Sequence, residues 1–105
     1  MTATTPDRQP TIVVVSLNYK QPLDQVNAHG AAHVAWLAQC LADGVLIASG
    51  RKVPRTGGML IVRGDLAAAK ALCQHDPFSI HGVADYEFTE VEVVFATPGL
   101  ALSSI

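Results

Sequence analysis

The chain has 105 residues, half of them hydrophobic and 15% charged, with nine Asp and Glu against seven Lys and Arg. That length holds one domain with one core, and a net charge of -2 with scattered basic residues excludes the clustered cationic surface that nucleic acid requires. So small a domain has a high surface-to-volume ratio, and its apolar excess implies that one face is covered by a partner subunit.

Residues 1–10 are polar, with nothing to bury, and read as a loosely attached tail. They lack the apolar segment of a signal peptide and no run approaches a membrane span, so the protein is expected to be cytoplasmic. The domain is expected over residues 11–96. Its first strand is Thr11 to Tyr19, a β-branched run. A single long helix is predicted from about Leu23 to Ala42, with Val26, Val34, Leu37 and Leu41 near helical spacing and Gly30 tolerated within it. Asp43-Gly44 ends it, Gly44 suiting the left-handed position after a helix.

Two short apolar runs, Val45 to Ser49 and Met59 to Arg63, flank a Gly/Pro/basic loop too short for a helix and are therefore expected to form an antiparallel hairpin or an immediate neighbour pair. Asp65 is a helix N-cap, and Leu66 to Cys73 forms a helix that ends near His75, because Pro77 disfavours the α region at Asp76. The last strand runs from about Ala84 to Phe95. Its apolar face changes phase near Glu90: Tyr86 and Phe88 share one side, Val91, Val93 and Phe95 the other, which calls for a bulge or for pairing with a second subunit. Residues 97–105 read as a second tail, able to dock through Leu100, Leu102 and Ile105.

The order β-α-β-β-α-β is the ferredoxin-like α+β arrangement, a four-stranded antiparallel sheet with both helices on one face. Three of the strands are apolar at nearly every position, so both sheet faces are covered. Two such sheets packed face to face give a homodimer, a dimeric α+β barrel.

Four sequence features carry a family resemblance: His33 within Ala32-His33-Val34-Ala35-Trp36-Leu37, the pair Ser49-Gly50, the pair Gly57-Gly58, and Asp76-Pro77-Phe78 followed by Gly82-Val83-Ala84. In this order they resemble the YciI-like family of the dimeric α+β barrel superfamily, over roughly residues 11–95. The resemblance implies a homodimer whose cleft is lined by a His and an Asp, here His33 and Asp76. It also implies, from one characterised relative type, dehydrochlorination of a chlorinated hydroxyhydroquinone. Arg51 stands where the family usually has Pro after Ser-Gly.

A histidine near neutral pKa can act as a general base, and a carboxylate on its other nitrogen fixes the tautomer. His33 and Asp76 suit those roles. Equally, His33 could satisfy a hydrogen bond at the edge of an apolar stripe, and Asp76 could cap a short turn with Pro77 at its first position. Cys40 and Cys73 lie in predicted helices without metal or redox spacing and read as buried free thiols. His29 and His33 share a helix face four residues apart, but no further ligand follows, so no metal and no cofactor are expected. His75 and His81 read as exposed residues around the Asp-Pro turn. Tyr19 and Trp36 suit core packing or an aromatic pocket wall. Ser49 and Gly50, with Arg51, Lys52 and Arg55, offer a hydroxyl, a backbone amide and cations to a carboxylate or phenolate, or else form a solvated loop. Gly57-Gly58 lacks the lysine and following helix of a phosphate cradle. Two functions therefore stand: a small cofactor-free enzyme of dehydrochlorinase-like lyase type acting on a small, aromatic or anionic substrate, or a non-catalytic dimeric module that binds a small ligand or supports an assembly.

Overall fold

The computed structural model describes residues 10–100. The two expected tails lie largely outside these residues, as do Leu102 and Ile105. Leu100, which is described, is half-exposed and bonds only locally, its N–H to the Thr97 carbonyl.

β1 (Thr11–Tyr19) forms where expected, and its side chains alternate: Val13, Val15 and Leu17 are buried while their neighbours are half-buried. It lies at the centre of a four-stranded antiparallel sheet ordered β2-β3-β1-β4, with β2 (Leu46–Arg51), β3 (Gly57–Arg63) and β4 (Ala84–Glu92). This is the ferredoxin-like topology. The helices cover the face bearing Val13, Val15, Leu17, Leu60 and Val62, and these residues form the core with Val26, Cys40, Ala69, Cys73, Phe78 and Val83.

The long first helix is in fact two, α1 (Leu23–Ala28) and α2 (Gly30–Ala42), broken at His29, whose φ of -105° and ψ of 4° leave the helical region. Gly30 follows the break, where its low helix propensity makes a junction inexpensive. The inward stripe of α2 also differs from the expected one. Leu37 packs inward as expected, but Val34 and Leu41 are more than half exposed, and His33, Trp36 and Cys40 join Leu37 on the sheet-facing side. Gly44 takes the left-handed conformation at φ 79°.

α3 (Leu66–Cys73) begins at Asp65, whose carboxylate accepts from the Ala68 N–H at 2.9 Å, and buries Ala69 and Cys73. α4 (Pro77–Ile80) is a single turn capped by Asp76 with Pro77 at its first position. Both cysteines are buried and free.

β4 ends at Glu92 rather than Phe95, and it carries no bulge: Thr11 to Tyr19 pair continuously with Glu92 to Ala84. Part of the phase change has a local cause. Glu90 occupies a helix-side position opposite Val13 and reaches out to accept the Leu66 N–H at 2.6 Å, helping to start α3, while Val91 pairs with Ile12 on the open face. Phe95 is almost fully exposed beyond the strand. The bulge lies instead in β2, between Leu46 and Ala48.

Candidate functional site

Asp76 anchors the site from below. It is fully buried, and its carboxylate accepts three hydrogen bonds: the Phe78 N–H at 3.0 Å and a His33 ring nitrogen, Nδ1, at 2.7 Å on Oδ1, and the Tyr86 hydroxyl at 2.5 Å on Oδ2. The N-cap and the histidine partner expected of this residue are thus one arrangement, since capping uses one lone pair and leaves others for the ring. An ionised Asp76 requires the proton on His33 Nδ1, which leaves Nε2 as the nitrogen that can accept one.

Local sequence places each part. Pro77 ends α3 and starts α4, holding the Asp76 backbone extended so that its side chain turns back over the new helix. α2 brings His33 across from the other helical segment, and the imidazole stacks flat on the Phe78 ring, centroids 3.9 Å apart and planes 5° from parallel. Tyr86 comes from β4, on the helix-facing side opposite Leu17. Burial raises its pKa, and the hydrogen bond to Asp76 acts in the same direction, so the phenol stays a donor. Burial likewise pushes the Cys73 thiol up to about 12, with the charge of Asp76 adding to the effect.

His33 also lines a cavity of about 620 Å³ between α2, the end of β2 and the start of β3, a volume typical of small-molecule sites. Ser49, Gly50 and Arg51 line it too. The β2 bulge is what brings Ser49 and Arg51 there. Leu46 pairs with Val62 on the helix side, and the extra residue shifts the phase so that Ser49 and Arg51 pair with Leu60 and Gly58 on that same side. Gly58 sits opposite Arg51, where a Cβ would come 3.0 Å from the Gly50 carbonyl oxygen. Gly57 is required: a Cβ there would lie 1.8 Å from the Leu17 carbonyl oxygen.

The basic residues of the loop separate. Arg55 lines the cavity and donates from Nη2 to Asn27 Oδ1 at 2.8 Å, whereas Lys52 crosses to the open sheet face and donates to Ser16 Oγ and Asn18 Oδ1. Lys20 pairs with Asp85 at 3.1 Å, and Arg63 donates to the Gly44 carbonyl. Tyr19 lines the cavity, while Trp36 packs against the core.

His29 does not join His33 in a metal site. It sits at the helix junction, its ring stacked on that of His81 at 4.0 Å, and among the described residues no three His, Cys, Asp or Glu side chains gather as metal ligands. His75 and His81 are exposed. Among the described residues, no helix is long and apolar enough to cross a membrane.

Tyr86 is the member of this site that sequence reasoning missed. Its position two residues from Phe88 marks it as inward-facing, but only the β1–β4 register and the Asp-Pro turn together show that it reaches Asp76.

No curated protein matches the sequence significantly. Among solved structures, the fold is similar to 5-chloro-2-hydroxyhydroquinone dehydrochlorinase from Burkholderia phenoliruptrix AC1100, whose structure is a complex with 2,5-dihydroxybenzoquinone. The TM-score is 0.64 at 19% identity, covering 74% of this chain and 90% of that one. The model of the YCII-related domain matches residues 12–92, nearly the whole described sheet with its helices. The chain therefore belongs to the family of YCII-related domains.

Proposed function

We propose that the chain is a cofactor-free enzyme of lyase type, in which His33 is the general acid/base, Asp76 orients it, and Ser49, Gly50 and Arg51 hold a small substrate in the cavity. The observation that carries this reading is the 2.7 Å contact between His33 Nδ1 and a fully buried carboxylate on a histidine that also lines the cavity. A buried carboxylate is costly unless paired, and pairing it with a ring at a cavity wall directs the remaining nitrogen to proton transfer. By likeness to the dehydrochlorinase, the substrate class is a halogenated, hydroxylated aromatic ring.

In such an elimination His33 Nε2 takes a phenolic proton and returns it to the chlorine-bearing ring carbon, making that carbon tetrahedral and the oxygen a ketone. A second phenolic O–H then loses its proton to His33, its electron pair shifts through the ring to close the new double bond, and chloride leaves with the C–Cl pair. The net change is loss of HCl, with no oxidant or reductant. General acid/base assistance of this kind contributes about 10²- to 10⁴-fold.

The protein acts as a homodimer in this proposal. Ile12, Val14, Met59, Ile61 and Val91 make the open sheet face apolar at its centre, and a second sheet laid on it would shield that surface. Sedimentation at micromolar concentration should give twice the chain mass; a monomer would refute this part.

The test of the chemistry is chloride release from a panel of chlorinated hydroquinones by the wild type and by His33→Ala. Release that falls at least about 10²-fold in the variant supports the reading. Equal release by both proteins removes His33 from the chemistry, and no release by the wild type favours the ligand-binding module.

A further inference from the structure

The cavity is electrostatically one-sided. Arg51 and Arg55 line it together with His33, and no Asp or Glu does, although acidic residues outnumber basic ones in the chain. Neither arginine meets a carboxylate among the described residues, where the ion pairs are Lys20 with Asp85 and His33 with Asp76. Arg55 is held in place by Asn27 of α1, while its Nε is shut off from solvent and has no hydrogen-bond partner. A sequestered N–H without an acceptor is unfavourable and calls for one. Apart from Asn27 and Ser49 the rest of the wall is mainly apolar, with Leu17, Tyr19, Leu37 and Phe78 its largest side chains.

These features have a common cause in the local fold. The β2 bulge turns Arg51 toward the helices, and the short loop after it returns Arg55 to the same side, while Lys52 between them is tied to Ser16 and Asn18 on the opposite face. The two cations that remain are both guanidiniums, whose planar forks match two-oxygen acceptors rather than a single phenolate oxygen. With these two guanidiniums on one side, the cavity has an apolar body and an anion-binding rim.

We propose that the substrate or ligand of this cavity carries a carboxylate, held by Arg51 and Arg55, on an apolar, ring-sized body that packs against Leu17, Tyr19, Leu37 and Phe78. Arg55 is then a specificity determinant alongside the residues already assigned to the site. The proposal rests on the reading of the cavity as the substrate site, but it concerns binding, and it stands or falls separately from acid/base chemistry by His33.

Benzoate is a suitable minimal probe, with benzyl alcohol as its uncharged counterpart, each titrated into the full-length protein and followed by amide and imidazole NMR shifts. Benzoate should move the signals of Gly50, Gly58 and the His33 ring, and benzyl alcohol at the same concentration should not. Arg55→Gln and Arg51→Gln should each weaken benzoate about tenfold, as expected for loss of one charge-assisted contact, with amide spectra that otherwise report an intact fold. Equal binding of the alcohol, full benzoate affinity in the Arg51→Gln/Arg55→Gln double variant, or no benzoate shift up to tens of millimolar would each overturn the proposal. The two readings fail separately: a wild type that binds benzoate but releases no chloride from the panel refutes only the lyase, and one that releases chloride without binding benzoate refutes only the carboxylate site.

Discussion

Replacing Asp76 with Ala tests the structural core of the site. The carboxylate is fully buried and accepts from the Phe78 N–H, His33 and the Tyr86 hydroxyl. Alanine leaves the phenol and the buried Phe78 amide, the donor that caps α4, without that acceptor, at about 1–3 kcal/mol each. Against this stands relief of the carboxylate's own desolvation, so the net loss expected is about 3 kcal/mol. For a domain of this size that lowers Tm by at least roughly 12 °C. Asp76→Asn keeps the shape and one acceptor oxygen, so it should cost less than half as much. Urea unfolding at pH 7, read by circular dichroism with the slope m checked for constancy, measures both. An Asp76→Ala protein within about 1 kcal/mol of wild type would show that the three donors do not depend on this carboxylate, and the proposed orientation of His33 would lose its basis.

Three further outcomes follow from the same geometry. Tyr86→Phe removes one donor to Asp76 Oδ2 and nothing from the cavity wall, so urea unfolding should show a loss of about 1–2 kcal/mol, smaller than for Asp76→Ala. The Cys73 thiol is raised from 9.0 to about 12 in the folded protein, so the unfolded chain releases its proton first. Stability is then fully present below pH 9 and falls between about pH 9 and 12, by up to about 1.4 kcal/mol per pH unit for this group; Cys73→Ala should flatten the decline, measured by urea midpoints across that window. Gly57→Ala drives a Cβ into the Leu17 carbonyl, which only separation of β3 from β1 can relieve. A loss of about 3 kcal/mol or more is expected in thermal unfolding, and a fully stable variant would contradict the close approach of these strands.

Much of the fold was legible because its signals are local. The β-branched run of β1, the cap at Asp65 and the Asp76-Pro77 turn each depend on residues within a few positions of one another, and each forms as read. The break at His29 was not legible, since Gly30 inside a helical pattern is compatible with one helix or two, and the packing of α2 against β2 decides between them. The inward stripe was missed for a related reason: Val34 and Leu41 are the more apolar choice, yet once α2 is set independently of α1 its sheet-facing positions are His33, Trp36, Leu37 and Cys40. His33 was therefore read at the edge of the apolar stripe when it lies on the sheet-facing side itself. Its neighbour Phe78 and its partner Asp76 make that burial tolerable.

The loop cations show most clearly why site composition escapes sequence reading. Side chains alternate faces along a strand, so which of Arg51 and Lys52 points toward the helices depends on parity, and parity depends on whether an unpaired residue precedes them. One such residue lies between Leu46 and Ala48. Were the same sequence paired regularly from Leu46 onward, Arg51 would face the open side of the sheet and the cavity would lose one of its two guanidiniums. The hydrophobic pattern of β2 carries no mark of the bulge, because Leu46, Ile47 and Ala48 are all apolar and fit either phase. The same irregularity that hid the arrangement from the sequence gives the cavity its charge, and deleting Ile47 would test it: Leu46 and Ala48 then alternate without a bulge, Ser49 and Arg51 keep their partners Leu60 and Gly58, and benzoate affinity should be retained, whereas a fall to the level of Arg51→Gln would contradict this register.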